Sequence, residues 1–250
     1  MKKYITPLIA TAMISTLFSC RKDEIPAKEG SIKMEFFNVA GSEKLALNDK
    51  WYKNQNGDSF TVTKFNYYIS NIRFNNTSGG SYAESESYHL VEQSAPASQS
   101  FDISKVPAGT YNSVTFTIGV DSLRNVSGVQ SNDLDPAKGM FWSWSTGYIM
   151  LKVEGTSPRS PQSGNVYMLH AGGFKGEYNV LRTVTLSFPS AISVNGDESH
   201  IHLNADVQKV FGGTKAISIA ASPVIMAAGE NGKALADNYK DMFTITAAGK

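Results

Sequence analysis

The chain has 250 residues, of which 41% are hydrophobic and 18% charged, a globular composition rather than a disordered or fibrous one. Lys and Arg total 23 against 22 Asp and Glu, a formal net charge of +1, and no basic cluster stands out, which argues against a nucleic-acid partner. A single cysteine excludes any disulfide within the chain.

Residues 1–19 read as a targeting segment. Lys2 and Lys3 supply a positive start, and Ile5 to Phe18 an apolar run too short and interrupted to span a bilayer comfortably. Leu17-Phe18-Ser19-Cys20 has the form of a bacterial lipobox, with the cysteine ending the apolar run. Lipidation is expected at the Cys20 thiol, and each buried CH₂ of the acyl chains would add about 0.8 kcal/mol of membrane affinity. The expected location is the outer membrane. Arg21-Lys22-Asp23-Glu24, basic then acidic, resembles the export signal of surface lipoproteins; a periplasmic face is the alternative. Residues 20–30, with Pro26 and Gly30, are expected to form a linker.

Residues 31–250 are expected to form one domain. Ile32, Met34 and Phe36 alternate with Lys33 and Glu35, the period of two that marks a strand with one buried face. Phe60 to Phe74 is rich in strand formers, and Tyr88 to Val91 is a shorter candidate. Val114, Phe116, Ile118 and Val120 alternate with Thr115, Thr117 and Gly119. Val184, Leu186 and Phe188 alternate with Thr183, Thr185 and Ser187.

The stretch from Phe141 to Gly155 begins with two tryptophans, turns at Gly147 and runs into a strand with Tyr148, Met150 and Lys152 on one face. Val166 to Gly173 reads as its partner across a turn at Ser157 to Gly164. Ile201, Leu203 and Ala205 alternate with His200, His202 and Asn204; Ile217–Ala221 and Phe243–Thr246 complete the predicted strands. Helical signal is confined to Asp206–Phe211 and Lys233–Met242. Many short strands with frequent turns predict an all-β antiparallel sandwich with long loops and one or two short helices.

No nucleophile elbow, zincin helix, phosphate-binding loop or dinucleotide fingerprint is present, and the reading is of a protein that is not an enzyme. The Asp133/Asp135 pair reads as a solvated turn. Metal chemistry is more open. His200 and His202 lie two apart on one strand, which puts both rings on the same face about 6.5–7 Å apart at the backbone, able to converge on an ion or simply to face solvent. His170 precedes Gly172-Gly173, where the chain can leave the ring at a rim or bonded to a carbonyl. Met150 and Met168 offer thioethers, which with imidazole suit Cu(I), or serve as core filler. Trp142 and Trp144 could pack, cover a cation or face a partner.

Several ordered segments carry a family resemblance: Phe65-Asn-Tyr-Tyr-Ile-Ser-Asn-Ile-Arg-Phe74, Val106-Pro-Ala-Gly-Thr-Tyr111 leading to Ile118-Gly-Val-Asp121, Asp133-Leu-Asp-Pro136, Gly139-Met-Phe-Trp-Ser-Trp144, His170-Ala-Gly-Gly173 and Asp237-Asn-Tyr-Lys-Asp-Met-Phe243. Together they resemble the MbnP-like family, whose namesake is associated with methanobactin. The resemblance implies a β-rich single domain and, in some members, copper held by histidine and an oxidised tryptophan. The resulting expectation is a lipid-anchored copper protein for storage or delivery. Its ion would be held by His170 with His202, with His200 and Met168 next in line and Trp142 and Trp144 shielding or binding. The alternative is a metal-free module that binds a glycan, peptide or protein on its aromatic loop.

Overall fold

The computed structural model describes residues 28–143 and 146–250. The expected signal segment, Cys20 and Arg21 to Glu24, together with Trp144, lie outside the described residues.

Ten longer strands carry the fold. They are β1 (Gly30–Ala40), β2 (Lys64–Asn76), β3 (Tyr88–Glu92), β4 (Ser100–Val106), β5 (Gly109–Ile118), β6 (Gly147–Thr156), β7 (Val166–Gly172), β8 (Arg182–Val194), β9 (Glu198–Asp206) and β10 (Phe243–Gly249). One sheet has the order β10-β9-β1, with β4 and the short strand Glu43–Lys44 also pairing with β1. The other has the order β8-β5-β2-β6-β7, extended by Val224–Ile225; β3 and Ser81–Ala83 pair with β2, and Phe141–Ser143 pairs with β6. The protein is all-β and sandwich-like, with two α-helices among the described residues, α1 (Ser122–Asn125) and α2 (Glu230–Tyr239). None of the helices among the described residues is long and apolar enough to cross a membrane.

Pairing is mostly antiparallel, with an informative exception. β1 runs parallel to β9, with Lys33 opposite His200, Glu35 opposite His202 and Phe37 opposite Asn204. Parallel neighbours need a crossover. Here the chain leaves β1, builds the second sheet while adding Glu43–Lys44 and β4 to the first, and returns from β8 through a turn at Gly196, where φ is +86°.

The period-two runs place their apolar members between the sheets. Ile32, Met34 and Phe36 on β1 and Ile201, Leu203 and Ala205 on β9 are buried in one core with Val114, Phe116 and Ile118 on β5 and Leu169 and Ala171 on β7. Phe243 joins the layers, with its ring 6.1 Å from Phe36, 5.4 Å from Tyr67 and 5.2 Å from Phe116. The alternating threonines lie outside and pair across strands: Thr115 with Thr185 at 2.8 Å and Thr117 with Thr183 at 3.1 Å. Pro189 sits where the β8–β5 register shifts, between Ser187 and Ile192, a position where the missing N–H does not break a ladder.

One expectation needs correction. Ile217–Ala221 is not a strand but part of a loop. Ile217 and Ile219 are buried, as their alternation suggests. Their backbone bonds run instead to neighbouring turns: the Ile219 N–H donates to Asp58 at 3.4 Å, and the Ile217 carbonyl accepts from Asn56 at 3.0 Å. β6 alternates its side chains as expected and is buried on both faces from Gly147 to Val153. The cause is a strap formed by residues 133–142, which crosses the outer face of its sheet. The Tyr68 and Tyr148 hydroxyls donate to the Asp133 and Leu134 carbonyls at 2.8 and 2.5 Å, and Lys152 Nζ donates to the Gly139 carbonyl. Asp133 and Asp135 belong to this strap: Asp133 accepts from the Leu90 N–H at 3.0 Å, and Asp135 caps a 3₁₀ turn by accepting from the Ala137 N–H at 2.8 Å.

The turn at Gly147 forms as expected, with φ at +77°. A Cβ there would stand 2.1 Å from Asn125 Oδ1, which accepts the Tyr148 N–H at 2.9 Å, so only glycine fits. The helical segments also form. Val207–Phe211 is a 3₁₀ helix capped by Asp206, and α2 buries Leu235 and Tyr239 against the core.

Candidate metal centre

His200 and His202 occupy the outer face of β9, because Ile201 and Leu203 between and beyond them are taken into the core. Each imidazole is 39% exposed. Glu35 lies on the same face of the adjoining β1, and one of its oxygens meets both rings: Oε2 is 3.0 Å from His200 Nδ1 and 2.9 Å from His202 Nε2. The two rings are nearly perpendicular, at 89°, with centroids 6.3 Å apart. Among the described residues this is a cluster of three groups whose donor atoms all lie within 4.8 Å of one another.

Two further contacts hold it. Glu198 Oε1 is 3.3 Å from His200 Nε2, so the second ring nitrogen has a carboxylate partner of its own. Phe37, two residues past Glu35, packs its ring edge-on against His202 at 5.4 Å. The hydrogen bond from His200 holds the Glu35 carboxyl below its usual range, against the opposing effect of burial, and the charges of His202 and His200 add to the lowering. Glu35 is therefore an anion, with acceptor capacity concentrated between two imidazoles.

His170 is elsewhere. It sits on the outer face of β7 in the other sheet, opposite Lys152 on β6, and is 4% exposed. The expected convergence of His170 with His202 is not made, because the two residues project from opposite layers of the sandwich. His170 Nε2 instead bonds Glu154 Oε1 at 2.9 Å, and Lys64 reaches the other Glu154 oxygen at 3.2 Å. Burial pushes the His170 imidazole below its ordinary value, and the charge of Lys152 pushes the same way, against the hydrogen bond it donates to Glu154. Burial alone would raise Glu154, but the bonds from His170 and Lys64 outweigh it and hold the carboxyl low. His170 Nδ1 is buried without a partner among the described residues.

Met168 faces the same way as His170, in register with Glu154. Met150 is buried, and its sulfur accepts the Val120 N–H at 3.2 Å. Trp142 lies over Gly172, where an added Cβ would come within 2.1 Å of the indole ring. Its Nε1 is buried and, like His170 Nδ1, has no partner among the described residues. His89, the fourth histidine, pairs with Glu84 at 2.9 Å and stacks on Phe101 at 3.7 Å.

The residue that sequence reasoning missed is Glu35. Its place on the polar face of β1 was legible from the alternation with Met34 and Phe36. The parallel pairing that brings it to β9 was not, since the two strands lie at opposite ends of the chain.

The donor set is two imidazole nitrogens and one carboxylate oxygen, suited to a divalent first-row ion. Such an ion, bonded at about 2.0–2.2 Å, keeps its ligand atoms a little over 3 Å apart. The 2.9 and 3.0 Å separations from Glu35 Oε2 are close to that spacing.

The solved structure of MbnP from Methylosinus trichosporium has a similar fold, with a TM-score of 0.55 over 82% of this chain and 83% of that one, at 15% identity. No curated protein sequence matches the chain. The MbnP family profile matches residues 29–227, which covers β1 to β9 and the strap, and the chain belongs to the MbnP family.

Proposed function

We propose that this MbnP-family protein is a lipid-anchored copper-binding protein of the outer membrane, exposed at the surface or facing the periplasm, that stores or delivers the ion rather than transforming a substrate. One observation carries the reading: a single carboxylate oxygen of Glu35 takes both His200 and His202. His200 Nδ1, His202 Nε2 and Glu35 would hold the copper. Glu198 would take the remaining N–H of His200 and fix the orientation of its ring, as carboxylates do behind metal-bound imidazoles.

The donor chemistry selects the oxidation state. Two imidazoles and a carboxylate suit Cu(II), whereas Cu(I) prefers thioether or thiolate. Met168 stands on the other sheet and cannot join the set. At His170 the Lys152 ammonium, directly opposite in the ladder, works against a second cation.

The test is metal analysis and Cu(II) titration of protein purified without a polyhistidine tag. The reading expects one Cu(II) per chain, lost in Glu35→Gln and His202→Ala and kept in His89→Ala. Wild-type protein that takes up no copper, or a Glu35→Gln variant that binds as wild type does, would sink it.

A further inference from the structure

A cavity of about 500 Å³ opens beside the metal cluster. Glu35 and Phe37 form its wall toward the histidines, with Asn204, Ser100, Gln99 and Lys44 around it. The strand register explains the adjacency. Ser100 on β4 stands opposite Glu35, and Asn204 on β9 stands opposite Phe37, so the lining continues the outward row that holds His202. The volume lies within the range of about 300–1,000 Å³ that small-molecule sites occupy.

Part of the polar lining is already committed. Asn38 bonds Gln93 at 2.9 Å and accepts from the Tyr67 hydroxyl at 2.8 Å, while Gln93 donates to the Leu45 carbonyl at 2.8 Å. These groups form a fixed floor.

We propose that the centre takes its ion together with a small organic anion, a carboxylate with a second oxygen donor beside it and a flat apolar body. This rests on the copper reading above. Three protein donors leave Cu(II) short of a tetragonal set, and the cavity lies where Glu35 and the His202 row border it. The charge balance favours an anion: a divalent ion with Glu35 leaves one positive charge, and Lys44 is the cation on the cavity wall. Phe37, Val39 and Pro96 give the apolar body a surface, and Asn204 offers hydrogen bonds to its oxygens. The ligand then bridges ion and cavity, and each binds more tightly in the presence of the other.

Salicylate is the probe. It is titrated into the Cu(II)-loaded and metal-free full chain in detergent, with electron paramagnetic resonance of the bound copper and gel filtration to follow the ion. Salicylate is expected to bind the loaded protein about tenfold or more tightly than the metal-free one, and to shift the copper spectrum while the copper stays with the protein. Asn204→Leu, which narrows the cavity without touching the donors, should keep wild-type Cu(II) affinity and lose the salicylate effect. Lys44→Ala should weaken salicylate alone. Equal salicylate affinity with and without copper, removal of copper by salicylate, or a wild-type response from Asn204→Leu would each overturn the proposal while leaving the copper reading intact. Failure of the wild type to hold Cu(II) would end both.

Discussion

Glu35 and His200 are 165 residues apart in the chain and share a hydrogen bond of 3.0 Å. The contact exists because the parallel pairing of β1 and β9 sets Lys33 and Glu35 beside His200 and His202. Neither strand carries a metal motif alone, and the centre is a product of the sheet topology.

That relationship sets the first prediction. Glu35→Gln keeps the size of the side chain but removes the charge and one ligating oxygen, so Cu(II) affinity should fall by well over about 100-fold, beyond the 10–100-fold typical of losing a supporting carboxylate. Glu198→Gln should fall within that smaller range, since its carboxylate meets only the far nitrogen of His200. Thermal stability should change by less than about 1 kcal/mol in either variant, because the imidazoles are well exposed to solvent. Competition titration against a chelator of known affinity reads the first effect, and calorimetry reads the second. A Glu198 variant weaker than the Glu35 variant would reverse the assigned roles.

Most of the fold was legible in the chain. The Ile32/Met34/Phe36, Val114/Phe116/Ile118 and Ile201/Leu203/Ala205 alternations each mark a strand and its core face, because the pleat repeats every two residues. Ile217 and Ile219 show the limit of that rule. Alternation reports burial, and burial does not require a ladder partner; here the backbone bonds go to Asn56, Phe211 and Asp58. The centre was half legible. The shared face of His200 and His202 follows from local geometry, whereas Glu35 comes from a pairing that no local pattern encodes, and the separation of His170 from His202 depends on which sheet each strand joins.

Gly172 offers a packing test. A Cβ at this position would stand 2.1 Å from the Trp142 ring, so Gly172→Ala must displace the indole from the face of β7. Overpacking of this kind costs about 1–3 kcal/mol. The expected result is a lower melting temperature with a red-shifted tryptophan emission and an unchanged strand signature in far-UV circular dichroism. Emission identical to wild type would mean that Trp142 does not rest on Gly172.

The anchor is tested at the N-terminus. Cys20→Ser removes the thiol that would carry the acyl chains, and soluble protein should replace membrane-bound protein, since several acyl chains together hold far more strongly than one. Replacing Lys22, Asp23 and Glu24 with alanine should leave lipidation unchanged and reduce cleavage by protease added to intact cells. A serine variant that still sediments with membranes contradicts the lipobox reading; unchanged cleavage in the alanine variant removes the surface address.

Acid should weaken the fold through His170 and Glu154, and the sign follows from their surroundings. Both groups are held below their ordinary values of 6.5 and 4.5 in the folded protein, His170 by burial and Glu154 by bonds from His170 and Lys64 that outweigh burial. The unfolded chain therefore takes up protons at a higher pH than the folded one at each group. Their stabilising contribution is complete above about pH 6.5 and declines as the pH falls, first through the depressed His170 range and then below 4.5 through that of Glu154. Each unit of difference corresponds to about 1.4 kcal/mol, and the imidazole is buried enough for the effect to show. Melting temperatures of metal-free protein should fall between pH 7 and 5. His170→Gln keeps a donor near Glu154 but cannot take up a proton, so it should melt lower at pH 7 and lose less on acidification. A variant slope as steep as that of the wild type would place the acid sensitivity outside the His170–Glu154 pair.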